Sequence, residues 1–282
     1  MKTINLVIQL FVVLLILSSF SGKNKNNIPP GTVELKENFY VDETEVRNVD
    51  YREYLYWLYR IYGNSSTEYQ NALPDTNVWD CINIRFIEKY LRHPHYANYP
   101  VVGISREQAE NYCKWRSDRV YEWMMVEKKI IKWTQSKDTF FTIEKFLNGQ
   151  YPTKRKLKKE EYYPIPQYSL LTKEEWEFAA ASNLDVSNYE FGVKDIKKIR
   201  FNVKENCSEY CLPVDKSGIN EFKLYGMIGN LAEIVSEPNV SKGGSWFHSQ
   251  TEGSIKKDIP YTKPMSWLGF RCKCVWKNRD KI

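Results

Sequence analysis

The chain has 282 residues, 42% of them hydrophobic and 15% aromatic, and its 41 Lys and Arg against 35 Asp and Glu give a formal charge of +6. That hydrophobic content fills one large core or two small ones and excludes a chain disordered throughout. The charge excess is mild and spread over sequence of mixed sign, so it does not supply the clustered basic face that nucleic-acid binding needs.

Residues 5–20 form an apolar run behind Lys2 that ends in small residues, the layout of a secretory signal over 1–21 cleaved near Ser21. An uncleaved anchor is the alternative. The run falls short of the roughly 20 apolar residues of a membrane span, and it contains Gln9. The expectation is an exported protein of the periplasm or cell envelope, with no transmembrane span left after cleavage. No Cys closes the run, so a bacterial lipoprotein signal is not visible.

After a linker over 22–32 that contains Pro29-Pro30-Gly31, period-two patterning through Phe39 and Val41 predicts a strand over 33–41. Asn48 is placed to cap a following helix, whose apolar face is Tyr51, Tyr54, Leu55, Leu58 and Tyr62 at helical spacing. Residues 63–98 read as irregular, with a short helix or strand over 82–91. His93 and His95 lack a third metal donor in the sequence and read as loop histidines. Ser105 followed by Gln108 is a capping box, and the helix it opens aligns Ala109, Tyr112, Cys113 and Arg116. Val120, Trp123, Met124, Glu127, Ile130, Ile131 and Trp133 suggest a further helix, and 140–147 another. The basic run from Lys154 to Lys159 is followed at once by Glu160 and Glu161 and flanked by prolines, so it reads as a solvated loop. A second capping box, Thr172 with Glu175, opens a helix through Trp176 and Ala180.

Six cysteines, at 81, 113, 207, 211, 272 and 274, stand behind the export signal, so disulfides are plausible, with fifteen full pairings open. Of the pairs not implied by any relative, Cys207 with Cys211 is preferred. Their spacing also suits zinc, but no partnering His or Cys pair lies near in sequence.

Three phrases carry the most information: Leu224-Tyr-Gly-Met-Ile-Gly-Asn-Leu-Ala-Glu233, Lys242-Gly-Gly-Ser-Trp246 and Leu268-Gly-Phe-Arg-Cys272. In this order they resemble the formylglycine-generating, or sulfatase-modifying-factor, family. The phrases around Asp42–Asn48, Tyr99–Trp115 and Leu171–Ala180 are similar to that family too, with Arg106 where the family has Trp. The resemblance implies an α+β domain over 33–275, the formylglycine-generating-enzyme variant of the C-type-lectin-like fold. Such a domain has much irregular structure, and here it would carry a helical insertion over 117–168 and end in a tail over 276–282. It also implies a Cys113–Cys272 disulfide.

Catalytic members of that family carry two copper-binding thiolates shortly after Gly-Gly-Ser, at positions that fall on His248 and Gly253 here. Copper(I) is a soft ion matched to soft sulfur. Without that pair the resemblance implies no catalytic residues and no copper; Ser245 marks the old substrate groove. Relatives hold calcium beside the Gly-Asn-x-x-Glu segment, which implies a calcium set of Asn230 and Glu233 side chains with the Ile228 and Leu231 carbonyls. Calcium needs six to eight oxygens, so the opposing reading is a turn built by Asn230 and a buried hydrogen bond from Glu233. Arg271 reads as a structural ion-pair member, and Ser245 lacks evident His and Asp partners for nucleophilic work.

The expected role is therefore an exported, catalytically inactive binding or structural module with protein partners in the cell envelope. The phrase Arg92–Ser105, the Tyr112–Arg116 helix and the insertion resemble the gliding-motility lipoproteins of the type IX secretion ring. A formylglycine-generating or related metal-dependent oxidase is one alternative, and a carbohydrate- or peptide-binding module another.

Overall fold

The strand expected over 33–41 is a hairpin. Asn38 adopts a left-handed backbone with φ 58, which Asn tolerates better than most residues, and the chain reverses there. In the computed structural model, which describes residues 28–278 except 135, 197–198, 200 and 208–209, β1 (Thr32–Lys36) pairs with β2 (Phe39–Asp42) across that turn. The expected secretory segment, 1–21, lies outside the described residues. Among those that are described, no helix is long and apolar enough to cross a membrane.

The hairpin is one edge of an antiparallel sheet ordered β1-β2-β8-β3, with β3 at Ile165–Leu170 and β8 at Cys272–Lys277. Alternation along β8 turns Cys272 and Cys274 inward together. A second sheet of short strands, ordered β6-β5-β4-β7, is built from β4 (Ala232–Ile234), β5 (Val240–Lys242), β6 (Ile259–Pro260) and β7 (Leu268–Gly269). Only β4 and β7 pair in parallel. This mixture of helices and two small sheets is the α+β architecture anticipated from the sequence.

Helix α1 runs Asn48–Tyr62, and its cap is Arg47 rather than Asn48. The Arg47 amide donates to Asp50 Oδ2 at 3.2 Å, while Asn48 is buried one position inside the helix and its Nδ2 donates to the carbonyls of Tyr90 and Tyr96. A cap side chain must lie free at the helix mouth; this one is consumed by a tertiary contact. The predicted stripe is buried at Tyr51, Tyr54, Leu55 and Leu58, continued by Ile61, with Tyr62 at the exposed margin. Short helices α2 (Thr67–Ala72) and α3 (Ile84–Lys89) lie in the region read as irregular.

Both capping boxes form as expected. Ser105 and Gln108 open α4, which is one helix over Arg106–Glu127 and runs straight through the expected start of the insertion. Nothing between 117 and 127 breaks a helix, so the inserted segment extends α4 instead of starting anew. A shorter α5 (Ile143–Leu147) follows, and together they enclose a separate apolar cluster around Tyr121, Met125, Ile131, Phe141 and Phe146. Helix α6 (Lys173–Ala181) starts at Thr172 and Glu175 and packs Trp176 against the segment after β5.

Candidate functional site

The Gly243-Gly244 pair lets two backbones touch. Both residues have positive φ, 89 and 70, which disfavours any side chain. A Cβ on Gly243 would stand 2.5 Å from the Met227 carbonyl oxygen, and one on Gly244 would stand 2.8 Å from Gly253 Cα. The contact is reciprocal: a Cβ on Gly253 would stand 2.8 Å from the Gly243 carbonyl oxygen. The second expected thiol position therefore has no room for a side chain in this backbone.

At the first position, His248 turns back onto Ser245. His248 Nδ1 and Ser245 Oγ lie 2.7 Å apart, and the Phe247 amide also donates to that hydroxyl at 3.1 Å. Burial lowers the imidazole pKa below its ordinary value, with Glu252 opposing, so the neutral ring is favoured, and its tautomer decides which of Ser245 Oγ and His248 Nδ1 donates. The sequence reading missed this Ser–His pair, although a His three residues after the Ser was a local signal. Ser245 is fully buried and its hydroxyl already serves two partners, and among the described residues no carboxylate hydrogen-bonds the imidazole. The arrangement suits a structural clasp rather than a nucleophile. The His248 ring stands edge-on to Trp267 at 4.6 Å, and Phe247, 56% exposed, stacks over the same indole.

Asn230 links this clasp to a buried charged cluster. Its carbonyl accepts from the Trp246 amide; its Oδ1 accepts from Leu212 N and Asn202 Nδ2; its Nδ2 donates to Glu45 Oε1 at 2.8 Å. Arg271 Nε donates to both oxygens of Glu233, Nη2 donates to Glu233 Oε1 at 2.6 Å, and Trp176 Nε1 donates to Glu233 Oε2 at 2.7 Å. The remaining guanidinium donors reach the carbonyls of Asp42 and Tyr225. The expected structural ion pair of Arg271 is present.

The residues do not fit the calcium set. Glu233 is saturated by a guanidinium and an indole N–H, and the Asn230 oxygen faces two N–H donors, so a cation there would meet donors instead of lone pairs. The side chains of Ile228 and Leu231, whose carbonyls are the expected backbone ligands, are buried in the two main apolar clusters. Glu45 is the member the sequence did not single out. It is 1% exposed, its Oε2 has no hydrogen-bond partner, and burial, reinforced by Glu233 and opposed by Arg271, pushes its pKa up to about 7. Gly226 makes room for it, since a Cβ there would stand 2.7 Å from Glu45 Oε1.

The cysteines are partly gathered. Cys113 of α4 and Cys272 of β8 bring their sulfurs to 3.4 Å, buried, and burial raises the Cys272 thiol well above its ordinary pKa. Cys207 Sγ instead donates to the Tyr210 carbonyl, and Cys211 Sγ contacts Tyr90 Oη at 2.8 Å. No disulfide joins any of the six, all of which are among the described residues. His93 Nδ1 accepts from the His95 amide within a turn, the loop role expected.

The model of the Sulfatase-modifying factor enzyme 1-like domain family matches residues 13–276. No curated protein matches the sequence. Among solved structures, the chain is similar to Treponema denticola variable protein 1, at 17% identity and TM-score 0.46 over 84% of each chain. It is also similar to CarF, at 19% identity and TM-score 0.48 over 84% of this chain and 86% of that one. PvdO from Pseudomonas aeruginosa matches at 14% identity and TM-score 0.38, over 64% and 63%. At these scores none of the three carries the assignment; the family match does.

Proposed function

Because this chain belongs to the Sulfatase-modifying factor enzyme 1-like domain family, we propose that it is an exported member without the oxidase chemistry. On this reading it works through protein partners as a structural module of the cell envelope, in gliding motility or type IX secretion assembly. One observation carries the loss of chemistry. Gly253 abuts the Gly243 carbonyl so closely that no side chain fits, while His248 is held by Ser245. Paired thiolates, which would supply both the nucleophile and a soft ligand set for copper(I), are replaced by a glycine and an imidazole already engaged. Export rests on the apolar run over 5–20, and the assembly role rests on the Arg92–Ser105 phrase and the helical insertion. The apolar cluster of the insertion is filled by its own side chains, which suits a rigid extension of the domain.

Incubating the full chain with copper(I) and a cysteine-containing sulfatase peptide tests the first half: the peptide is expected unmodified, and formation of an aldehyde overturns the reading. Cross-linking followed by pull-down from envelope membranes tests the second half. A partner at fixed stoichiometry is expected; recovery of this chain alone overturns the assembly role.

A further inference from the structure

A groove of about 360 Å³ runs along α1, beside the residues that follow α2 and α3. Arg52, Leu55, Tyr56 and Tyr59 fall at i, i+3, i+4 and i+7, so they share one face of α1 and all four line the groove. Leu73 and Leu91 extend the leucine floor, and Tyr69 meets Tyr59 edge-on at 6.1 Å to complete the wall. The groove shares no residue with the Ser245 clasp or the Arg271 cluster.

Two observations point to what covers it. Tyr56 is 58% exposed and Tyr59 49%, while Leu55 and Leu91 below them are buried, so the rings stand up as the rim of an apolar trough. Tyr and Arg together are the residues that anchor protein interfaces. The second observation is charge. Arg52 Nη1 donates to the carbonyls of Leu91 and Arg92 at 3.2 and 2.8 Å, which fixes the guanidinium beside the groove, and its Nε and Nη2 remain open to solvent and unbonded. Among the described residues neither Arg52 nor Arg92 pairs with a carboxylate, and no acid lines the groove. Burial lowers the Arg52 pKa with no acid opposing it; Glu53, the neighbouring acid on α1, is set between Asp50 and Arg47 instead. Two guanidinium groups without counter-charge beside an apolar floor complement a ligand that carries both an aliphatic group and a carboxylate.

We propose that this groove docks a short extended segment of a partner protein in which aliphatic side chains are flanked by Asp or Glu, the aliphatic groups resting on the leucines and a carboxylate on Arg52 and Arg92. The proposal rests on the assembly role above and names the chemistry of the partner. The volume stands at the small end of ligand pockets, which suits a few side chains of a peptide. A flat bilayer does not reach leucines that lie below a rim of rings, and a glycan stacked on those rings leaves the floor unfilled.

The test is titration of the full chain with acetyl-Glu-Leu-Pro-Leu-Glu-amide, whose proline keeps it extended, read by amide NMR. Saturable shifts at Tyr59, Leu73 and Arg92 are expected. The peptide with Gln for both Glu should bind about tenfold more weakly, the scale of one hydrogen bond to a charged group. Arg92→Glu, at an exposed side chain with no bond to lose, should abolish binding of the acidic peptide and favour acetyl-Lys-Leu-Pro-Leu-Lys-amide. Tyr59→Ser should weaken binding about tenfold with the rest of the spectrum unchanged. No saturable shift, shifts away from the groove, equal affinity for the Gln peptide, or unchanged affinity in Arg92→Glu would each overturn the proposal. Cross-linked pull-down with the Tyr59→Ser, Arg92→Glu double variant separates it from the assembly role. A partner retained by the variant overturns the groove alone; a partner lost only from the variant supports both; and no partner on the unaltered chain overturns the assembly role and the groove with it.

Discussion

Arg271 and Glu233 close on one another across 38 residues, with Nε 2.8 Å from each carboxylate oxygen and neither side chain more than 1% exposed. This pair joins the link between β7 and β8 to β4, and it draws in Asp42 and Tyr225 through their carbonyls. A buried ion pair is costly to form but far costlier to break on one side, because the surviving charge stays in the core. Glu233→Ala and Arg271→Ala should each cost about 3–5 kcal/mol in denaturant unfolding. The double replacement should cost clearly less than the sum, and additivity would show the two groups to be uncoupled.

Glu45 sets a pH dependence. Its folded pKa, about 7, lies above the ordinary 4.5, so the native state binds the proton more tightly than the unfolded chain. Its contribution to stability is full below about pH 4.5 and is lost as the pH rises through 7, a change of about 3 kcal/mol from this group. Glu45→Gln should flatten the stability profile between pH 5 and 7 relative to the wild type. An unchanged slope in the variant would assign the effect to another group.

Gly253→Cys should destabilise the fold by about 1–3 kcal/mol, since its Cβ would press on the Gly243 carbonyl and force a backbone shift. The companion His248→Cys removes the Ser245 clasp and should cost about 1–3 kcal/mol by leaving a buried hydroxyl with one partner fewer. Urea midpoints measure both. A Gly253→Cys protein as stable as the wild type would show that this loop yields easily.

Cys113 and Cys272, already 3.4 Å apart, should cross-link in oxidising buffer. Peptide mapping without reductant should recover the 113–272 link, and reduction should lower stability by about 4–5 kcal/mol, the scale of closing a loop longer than 100 residues. Mapping that finds both thiols reduced in protein secreted to an oxidising compartment would contradict this.

Local chemistry was legible. The capping boxes at Ser105 with Gln108 and at Thr172 with Glu175 involve residues three apart, and both form. The structural role of Arg271, which lies just ahead of β8, was also readable from its place in the Gly-Phe-Arg-Cys phrase. Asn48 misled because its side chain, free to cap in isolation, is taken by two carbonyls more than 40 residues away. The extension of α4 past residue 117 was obscured by the expectation of a family boundary there, although no breaker interrupts the pattern.

The sequence by itself determined the family, the starts of the two helices behind the capping boxes and the residues that stand at 248 and 253, because motifs and caps depend on residue identity at short spacing. Only the tertiary structure decided what surrounds residues 248 and 253. That Gly253 has no room for sulfur, that His248 is spent on Ser245, and that Arg271 stands against Glu233 depend on backbones from distant segments meeting within ångströms. Close packing fixes such meetings, and one-dimensional spacing does not encode them.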